Sequence, residues 1–411
     1  MACSRPGDPP TRQSNPGAGA ADGLTSDGGD PDPISIMPSA VSPEAPPLPK
    51  WQRPENTKYE LPWADIAVID ISKFDQPGGK KQLAEDLRQA VHETGFFGLI
   101  NTGFTPEEVQ RQYDIGQGFF RLPVEDKARP GNTCDFAKGN YFGYRSAHDK
   151  KMQGTDVLNN VESVNIAKFI PKYQDEPFHP FFEPFRAEIE DFSRRSLELA
   201  SKVFTLFSII LELPEDYFSS RHAYGSPSED HLRYMRYHPR ALADDLKVAN
   251  TWSRAHTDFG SLTLLWSQDV AGLQIKTAET GEWRHVPPVD DDGTGVVCNV
   301  GDTLEFWSAG YLKSTTHRVV RPPEDQAHLL RQGLFYFVRP GDDVDIKPAP
   351  SPLLRRLGLV REDAAGDEAP PVRGLQYVRE RVRDYHDHND YADKKGQKFR
   401  VGNLEIEDEA V

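Results

Sequence analysis

The stretch Ala255-His256-Thr257-Asp258-Phe259-Gly260-Ser261-Leu262-Thr263-Leu264-Leu265 sets an imidazole and a carboxylate two residues apart, just ahead of an apolar run. In an extended strand, residues i and i+2 point to the same face, so His256 and Asp258 converge on one point. They offer two corners of a site for a divalent ion of intermediate hardness. The third corner calls for a histidine on a neighbouring strand. His317, in the strand-like Thr316-His317-Arg318-Val319-Val320, is the strongest candidate. A second H-x-D, His388-Asn389-Asp390, lies in a charged C-terminal segment with no histidine after it, and reads as a solvated helix face.

Outward from this centre, His231 to Pro340 has the texture of short strands and turns. Leu262-Thr263-Leu264-Leu265-Trp266, Leu273-Gln274-Ile275, Gly295 to Val300, Thr303-Leu304-Glu305-Phe306-Trp307, Thr316 to Val320 and Leu334 to Val338 read as strands. Asp292-Gly293 and Gly301-Asp302 punctuate them as turns. Many short strands with turn signals indicate an antiparallel barrel or jelly roll. A facial triad of His256, Asp258 and His317 in such a barrel leaves coordination positions open, as non-haem Fe(II) oxygenases require.

Upstream, Ile66 to Asp70 reads as a strand and Lys81 to Thr94 as a helix with Leu83, Leu87 and Val91 on one face. Phe96 to Ile100 reads as a second strand, and Thr105 with Glu108 forms a capping box for the next helix. Phe182 to Leu213 is mostly helical, with apolar residues at three- and four-residue steps, and Pro214 stops it. The first 50 residues hold 11 Pro, 6 Gly and no aromatic residue, a composition that cannot offset its ordering entropy. Order is expected from near Trp51. A last helix is expected on Leu375, Val378, Val382 and Tyr385, with Glu405 to Val411 frayed.

The expected organisation is a disordered Pro/Gly-rich tail (1–57), an N-terminal α/β unit (58–180) and a buttressing helix with its linker (181–230). A catalytic jelly roll (231–345) and a C-terminal connector, helix and charged tail (346–411) follow. The fold class is mainly β with flanking helices, a double-stranded β-helix core joined to the N-terminal α/β unit.

Composition excludes several functions. The 411 residues carry 48 Lys+Arg against 64 Asp+Glu, a net charge of −16, which is the wrong sign for neutralising a phosphate backbone. No apolar run reaches the roughly 18–20 residues needed to span a bilayer. Three cysteines without a C-x-x-C point to a reducing compartment, so a cytoplasmic location is expected. A small-molecule substrate is expected, with neither nucleic acid nor membrane as partner.

The chain resembles the 2-oxoglutarate/Fe(II)-dependent dioxygenases of the isopenicillin-N-synthase-like type. The resemblance rests on the opening stretch, on Val270 to Ile275, on Trp283, on Asn299-Val300-Gly301-Asp302 and on Lys313 to Val319. Val68-Ile69-Asp70, Gly95-Phe96-Phe97, Asn101-Thr102-Gly103 and Phe119 to Pro123 extend it over roughly residues 61–345. The resemblance implies a jelly roll with iron at one mouth and His256, Asp258 and His317 as its ligands.

The family's Arg-x-Ser motif falls on Arg331-Gln332-Gly333, so Arg331 would hold the distal carboxylate of 2-oxoglutarate, with Tyr237 donating a hydrogen bond to it. Arg339 is the fallback anchor. Gly333 departs from the family serine and removes one hydroxyl. The implied reaction hydroxylates or desaturates a small metabolite of the secondary-metabolism kind. It consumes O2 and releases succinate and CO2, with ascorbate as a possible stimulant. Phe142, Tyr144 and Phe337 are expected to line the substrate site, and His238 to be structural. The alternatives are an oxidase of the same fold that uses no 2-oxoglutarate and a catalytically silent ligand-binding barrel.

Overall fold

The computed structural model describes residues 45–266, 269–290, 292–360, 371–386, 398–402 and 404–407. Twelve strands build the centre. They are β1 (Ala67–Asp70), β2 (Phe96–Ile100), β3 (Gly143–Arg145), β4 (Val161–Ala167), β5 (His231–Tyr237) and β6 (Thr251–His256), followed by β7 (Leu262–Trp266), β8 (Leu273–Lys276), β9 (Trp283–His285), β10 (Val296–Val300), β11 (His317–Val320) and β12 (Arg331–Val338). Eight of them form one sheet in the order β1-β2-β10-β7-β12-β5-β4-β3, and four form a second in the order β6-β11-β8-β9.

Strand alternation divides the core between two faces of the large sheet. Leu334, Tyr336 and Val338 of β12, Leu262, Leu264 and Trp266 of β7, and Val296, Cys298 and Val300 of β10 pack in one apolar cluster with the helices. Phe335, Leu265, Val297 and Tyr237 point the other way, into a cluster shared with Trp252, Leu273, Ile275 and Val319 of the small sheet. Central strands buried on both faces explain why their sequences read as continuous apolar runs.

The helical layer holds α1 (Gly79–Glu93), α2 (Pro106–Phe120) and the 25-residue α3 (Arg186–Ile210). The capping box at Thr105 is complete. Thr105 Oγ1 accepts from the Glu108 amide at 3.2 Å, and Glu108 accepts from the Thr105 amide at 2.8 Å. A fourth helix, α4 (Gly374–His386), buries Tyr377, Val378 and Val382 against Ile346 and Phe259.

Several expectations are corrected. Residues 303–307 are helical, within Asp302–Trp307, and not a strand. Asp302 starts this helix where an acid is favourable, and Leu304 and Trp307, three residues apart, are its buried face. Residues 45–57, assigned to the tail, are packed. The Trp51 ring stacks on Tyr113 at 4.1 Å, and Arg53 pairs with Asp269 at 2.8 Å. Leu404–Glu407 is not frayed but pairs with Lys398–Val401. In α4, Leu375 is only half-buried, and Tyr377 takes the core position. Residues 1–44 and His388-Asn389-Asp390 lie outside the described residues.

Candidate active site

His256 ends β6 and His317 begins β11, and the antiparallel register sets the two directly opposite each other. Their rings lie 4.4 Å apart, centroid to centroid. Asp258 lies just beyond the end of β6, so strand alternation alone does not aim it, contrary to the sequence argument. Two hydrogen bonds do. Thr263 Oγ1 of β7 and Asn299 Nδ2 of β10, which face each other across those strands, donate to Asp258 Oδ2 at 2.7 and 2.8 Å. Oδ1 is left toward the imidazoles, 3.9 Å from Nε2 of His256 and 3.9 Å from Nε2 of His317. Sequence reasoning quoted both Thr263 and Asn299 but gave neither a role.

The backbone sets the tautomer of each histidine. A carbonyl can only accept, so His256 Nδ1 donates to Arg254 O at 2.8 Å and His317 Nδ1 donates to Thr315 O at 3.1 Å. Both Nε2 lone pairs are therefore turned toward Asp258, as metal-binding imidazoles need. Burial, and then the neighbouring His317, push the His256 imidazole down to about 3, so it is neutral. Burial acts to raise the Asp258 carboxyl. The two imidazoles and the hydrogen bonds from Asn299 and Thr263 outweigh it and hold Asp258 well below the usual carboxylate range.

One ligand atom from each of His256, Asp258 and His317 falls within 4.8 Å of the others, the one such grouping among the described residues. The set of two imidazole nitrogens and one carboxylate suits divalent iron.

These residues open into a cavity between the two sheets. Arg331, at the start of β12, is opposite Tyr237 at the end of β5, and its guanidinium lies 5.0 Å from the Tyr237 ring. Both line the cavity. No side chain can replace Gly333 without movement, because a Cβ there would meet the Phe335 ring at 2.5 Å. The space of the family serine is taken by Phe335. Phe337 lines the cavity as expected, whereas Phe142 and Tyr144 do not. Phe142 packs with Ala167 and Tyr173. Tyr144 falls on the face of β3 opposite to Arg145 and donates to Glu162 at 2.7 Å. His238 also bonds Glu162, at 2.9 Å, which places it outside the cavity. Tyr141 and Tyr385 line it instead, the latter from α4.

Comparisons with known proteins agree with this geometry. Residues 66–184 match the family described as non-haem dioxygenase in morphine synthesis N-terminal, and residues 229–340 match the 2OG-Fe(II) oxygenase superfamily. The 2-oxoglutarate-dependent dioxygenase citB of Monascus ruber is 30% identical over 62% of this chain and 80% of its own length. Proline hydroxylase buaE of Petromyces alliaceus is 28% identical over 71% and 92%. A full-length Neurospora crassa protein, solved in complex with alpha-KG, superposes with a TM-score of 0.65 at 25% identity, over 78% of this chain and 96% of that one. The chain belongs to the 2OG-Fe(II) oxygenase superfamily and is a 2-oxoglutarate- and Fe(II)-dependent dioxygenase.

Proposed function

We propose that His256, Asp258 and His317 hold the iron, that Arg331 and Tyr237 hold the distal carboxylate of 2-oxoglutarate, and that the enzyme oxidises a C–H bond of a small organic molecule. The observation that carries this reading is the aim of three ligand atoms at one point, with both Nδ1 groups and Asp258 Oδ2 already engaged elsewhere. When bound, iron and 2-oxoglutarate supply the oxidising power from O2, with succinate and CO2 as the by-products.

The chain's own residues prepare the site for that chemistry. The Arg254 and Thr315 carbonyls keep the two imidazoles in one tautomer and one orientation. Together with the two imidazoles, Asn299 and Thr263 keep Asp258 ionised, and their hydrogen bonds leave it presenting a single oxygen. Arg331 offers a buried, planar cation whose two parallel N–H groups match a carboxylate. Phe96 packs edge-on against His317 at 5.4 Å and excludes water from that side.

The test is a pair of binding measurements. Iron retained per chain after desalting is expected to fall to background in His256→Ala and His317→Ala, while Arg331→Met keeps iron and loses 2-oxoglutarate. Full iron retention by His256→Ala, or unchanged 2-oxoglutarate affinity in Arg331→Met, would contradict the assignment.

A further inference from the structure

The cavity is far more cationic than the proposed iron and 2-oxoglutarate require. Besides Arg331 it is lined by Arg145, Arg233, Arg254 and Arg339, and Asp258 is the one carboxylate among its described lining residues. Arg145 is neutralised by Asp149 at 3.2 Å. Arg233 and Arg339 have no carboxylate within salt-bridge distance among the described residues, and both are buried. Arg233 spends its Nε on the Asn165 side-chain oxygen at 2.6 Å and one Nη on His231 at 3.3 Å, both neutral acceptors. Nε and Nη1 of Arg339 are buried with no hydrogen-bond partner among the described residues. Asp258 and Glu229 act on Arg339 only from beyond salt-bridge distance. A buried guanidinium without an ion-pair partner is costly, and two of them around one ring compound the cost. Their carbons lie 4.2 and 5.5 Å from the centroid of Phe337.

The two arginines lie away from Arg331 along the strands: Arg233 is opposite Phe335, midway along β12, and Arg339 follows the far end of β12. Arg331, Phe335 and Phe337 follow one another on the inward face of β12, with Arg339 just past the end of that strand, and Arg233, Met235 and Tyr237 do so on β5. Eight residues of extended chain separate Arg331 from Arg339, roughly 26 Å along the strand. A single five-carbon diacid cannot serve both. The Arg339 end abuts the loop that carries Asp258. Ser261 donates to Val338 O at 2.9 Å, and a Cβ on Gly260 would meet Arg339 Nη1 at 2.9 Å. The cavity therefore runs from one cation past the triad to a second cationic pole. His231, stacked on Phe337 at 5.0 Å, is kept neutral by burial and its two guanidinium neighbours, so it adds no third positive charge there, and an imidazole in either protonation state cannot offset a guanidinium.

We propose that Arg233 and Arg339 form a clamp for a carboxylate on the primary substrate, which makes the oxidised compound a small organic acid with an apolar body held by Phe337, Phe259 and Tyr141. This rests on the proposed function, in which Arg331 is already taken by 2-oxoglutarate.

The probes are phenylacetate, 4-phenylbutyrate and decanoate, each beside its primary amide. They are titrated calorimetrically into anaerobic holoenzyme holding Fe(II), after 2-oxoglutarate binding has been measured. At least one acid is expected to bind about tenfold or more tightly than its amide, as a charge-assisted contact implies. Arg339→Met and Arg233→Met are each expected to abolish that preference and to leave 2-oxoglutarate binding within about twofold, with Arg339→Lys intermediate. Arg331→Met is expected to do the reverse. Without ligand, Arg339→Met is expected to melt no lower than wild type, since it removes a buried charge that makes no ion pair and leaves Nε and Nη1 without a partner among the described residues.

The proposal is overturned if no acid outbinds its amide, if Arg339→Met keeps the preference, or if that variant instead loses 2-oxoglutarate. Failure of wild type to bind 2-oxoglutarate at all would count against the proposed function and not against the clamp.

Discussion

Asp258 depends on its neighbours more than either histidine does. It stands beyond the end of β6, and its aim comes from Thr263 and Asn299. Thr263→Val and Asn299→Ala are therefore expected to weaken Fe(II) binding by roughly 10–100-fold, the usual effect of losing such a supporting hydrogen bond. Equilibrium iron titration checks this, and unchanged affinity in both variants would show that Asp258 is held by something else. Gly333 gives a second residue-level expectation. Restoring the family serine forces a Cβ into the Phe335 ring, so Gly333→Ser is expected to cost about 1–3 kcal/mol in denaturant unfolding. A stability equal to wild type would mean that Phe335 yields freely. H-x-D alone occurs twice in this chain, so His256, Asp258 and His317 were singled out from sequence by strand alternation and by the family-like residues around them. Thr263 and Asn299 were not, since small polar residues on strands carry no such signature until the register places them across from each other.

At the scale of elements, β11 owes its position to a glycine far upstream. Gly95 ends α1 at φ +66, and a Cβ there would lie 1.9 Å from the Lys313 carbonyl. That close approach lets Lys313 N donate to Val91 O at 2.9 Å and Thr315 Oγ1 donate to Thr94 O at 2.6 Å. Thr315 O is in turn what orients His317. Gly95→Ala is expected to lower both stability and iron affinity, measured by melting and by iron titration. A loss of stability alone would break the proposed link between α1 and the site.

Most elements were legible, because apolar periodicity and caps are local signals. Residues 303–307 were misread as a strand because five residues of mixed polarity fit either period, and only the turn set by Gly301 and Asp302 separates them. The cationic lining beyond the end of β12 was half-visible. Arg339 was noticed, but its pairing in space with Arg233 depends on β5 lying beside β12.

Across the whole molecule, charge is unevenly placed. A chain with a net charge of −16 surrounds its cavity with arginine. One buried ionic network also ties several elements together. Glu162 of β4 accepts from Lys127 at 2.5 Å, Tyr144 of β3 at 2.7 Å and His238 at 2.9 Å. Burial acts to raise the Glu162 carboxyl, but the bonds from His238, Lys127 and Tyr144 win and bring it down to about 2, from an ordinary 4.5. Because the folded value is the depressed one, the stabilisation is complete above pH 4.5. It is lost as pH falls toward 2, by about 3 kcal/mol in all. Glu162→Gln is expected to flatten this acid branch and to destabilise the neutral protein by roughly 3–5 kcal/mol, since Lys127 is left buried without its carboxylate. Unfolding curves at several pH values read both effects, and an unaltered acid branch would refute them.

The central claim is that one triad joins iron to 2-oxoglutarate. Its most direct measurement is succinate formed and O2 consumed by the Fe(II)-loaded protein, with and without 2-oxoglutarate, in wild type and in His256→Ala. Succinate and O2 uptake that both require 2-oxoglutarate, and that both vanish in His256→Ala, are the expected result. O2 uptake that proceeds without 2-oxoglutarate, or succinate that persists in His256→Ala, would contradict it.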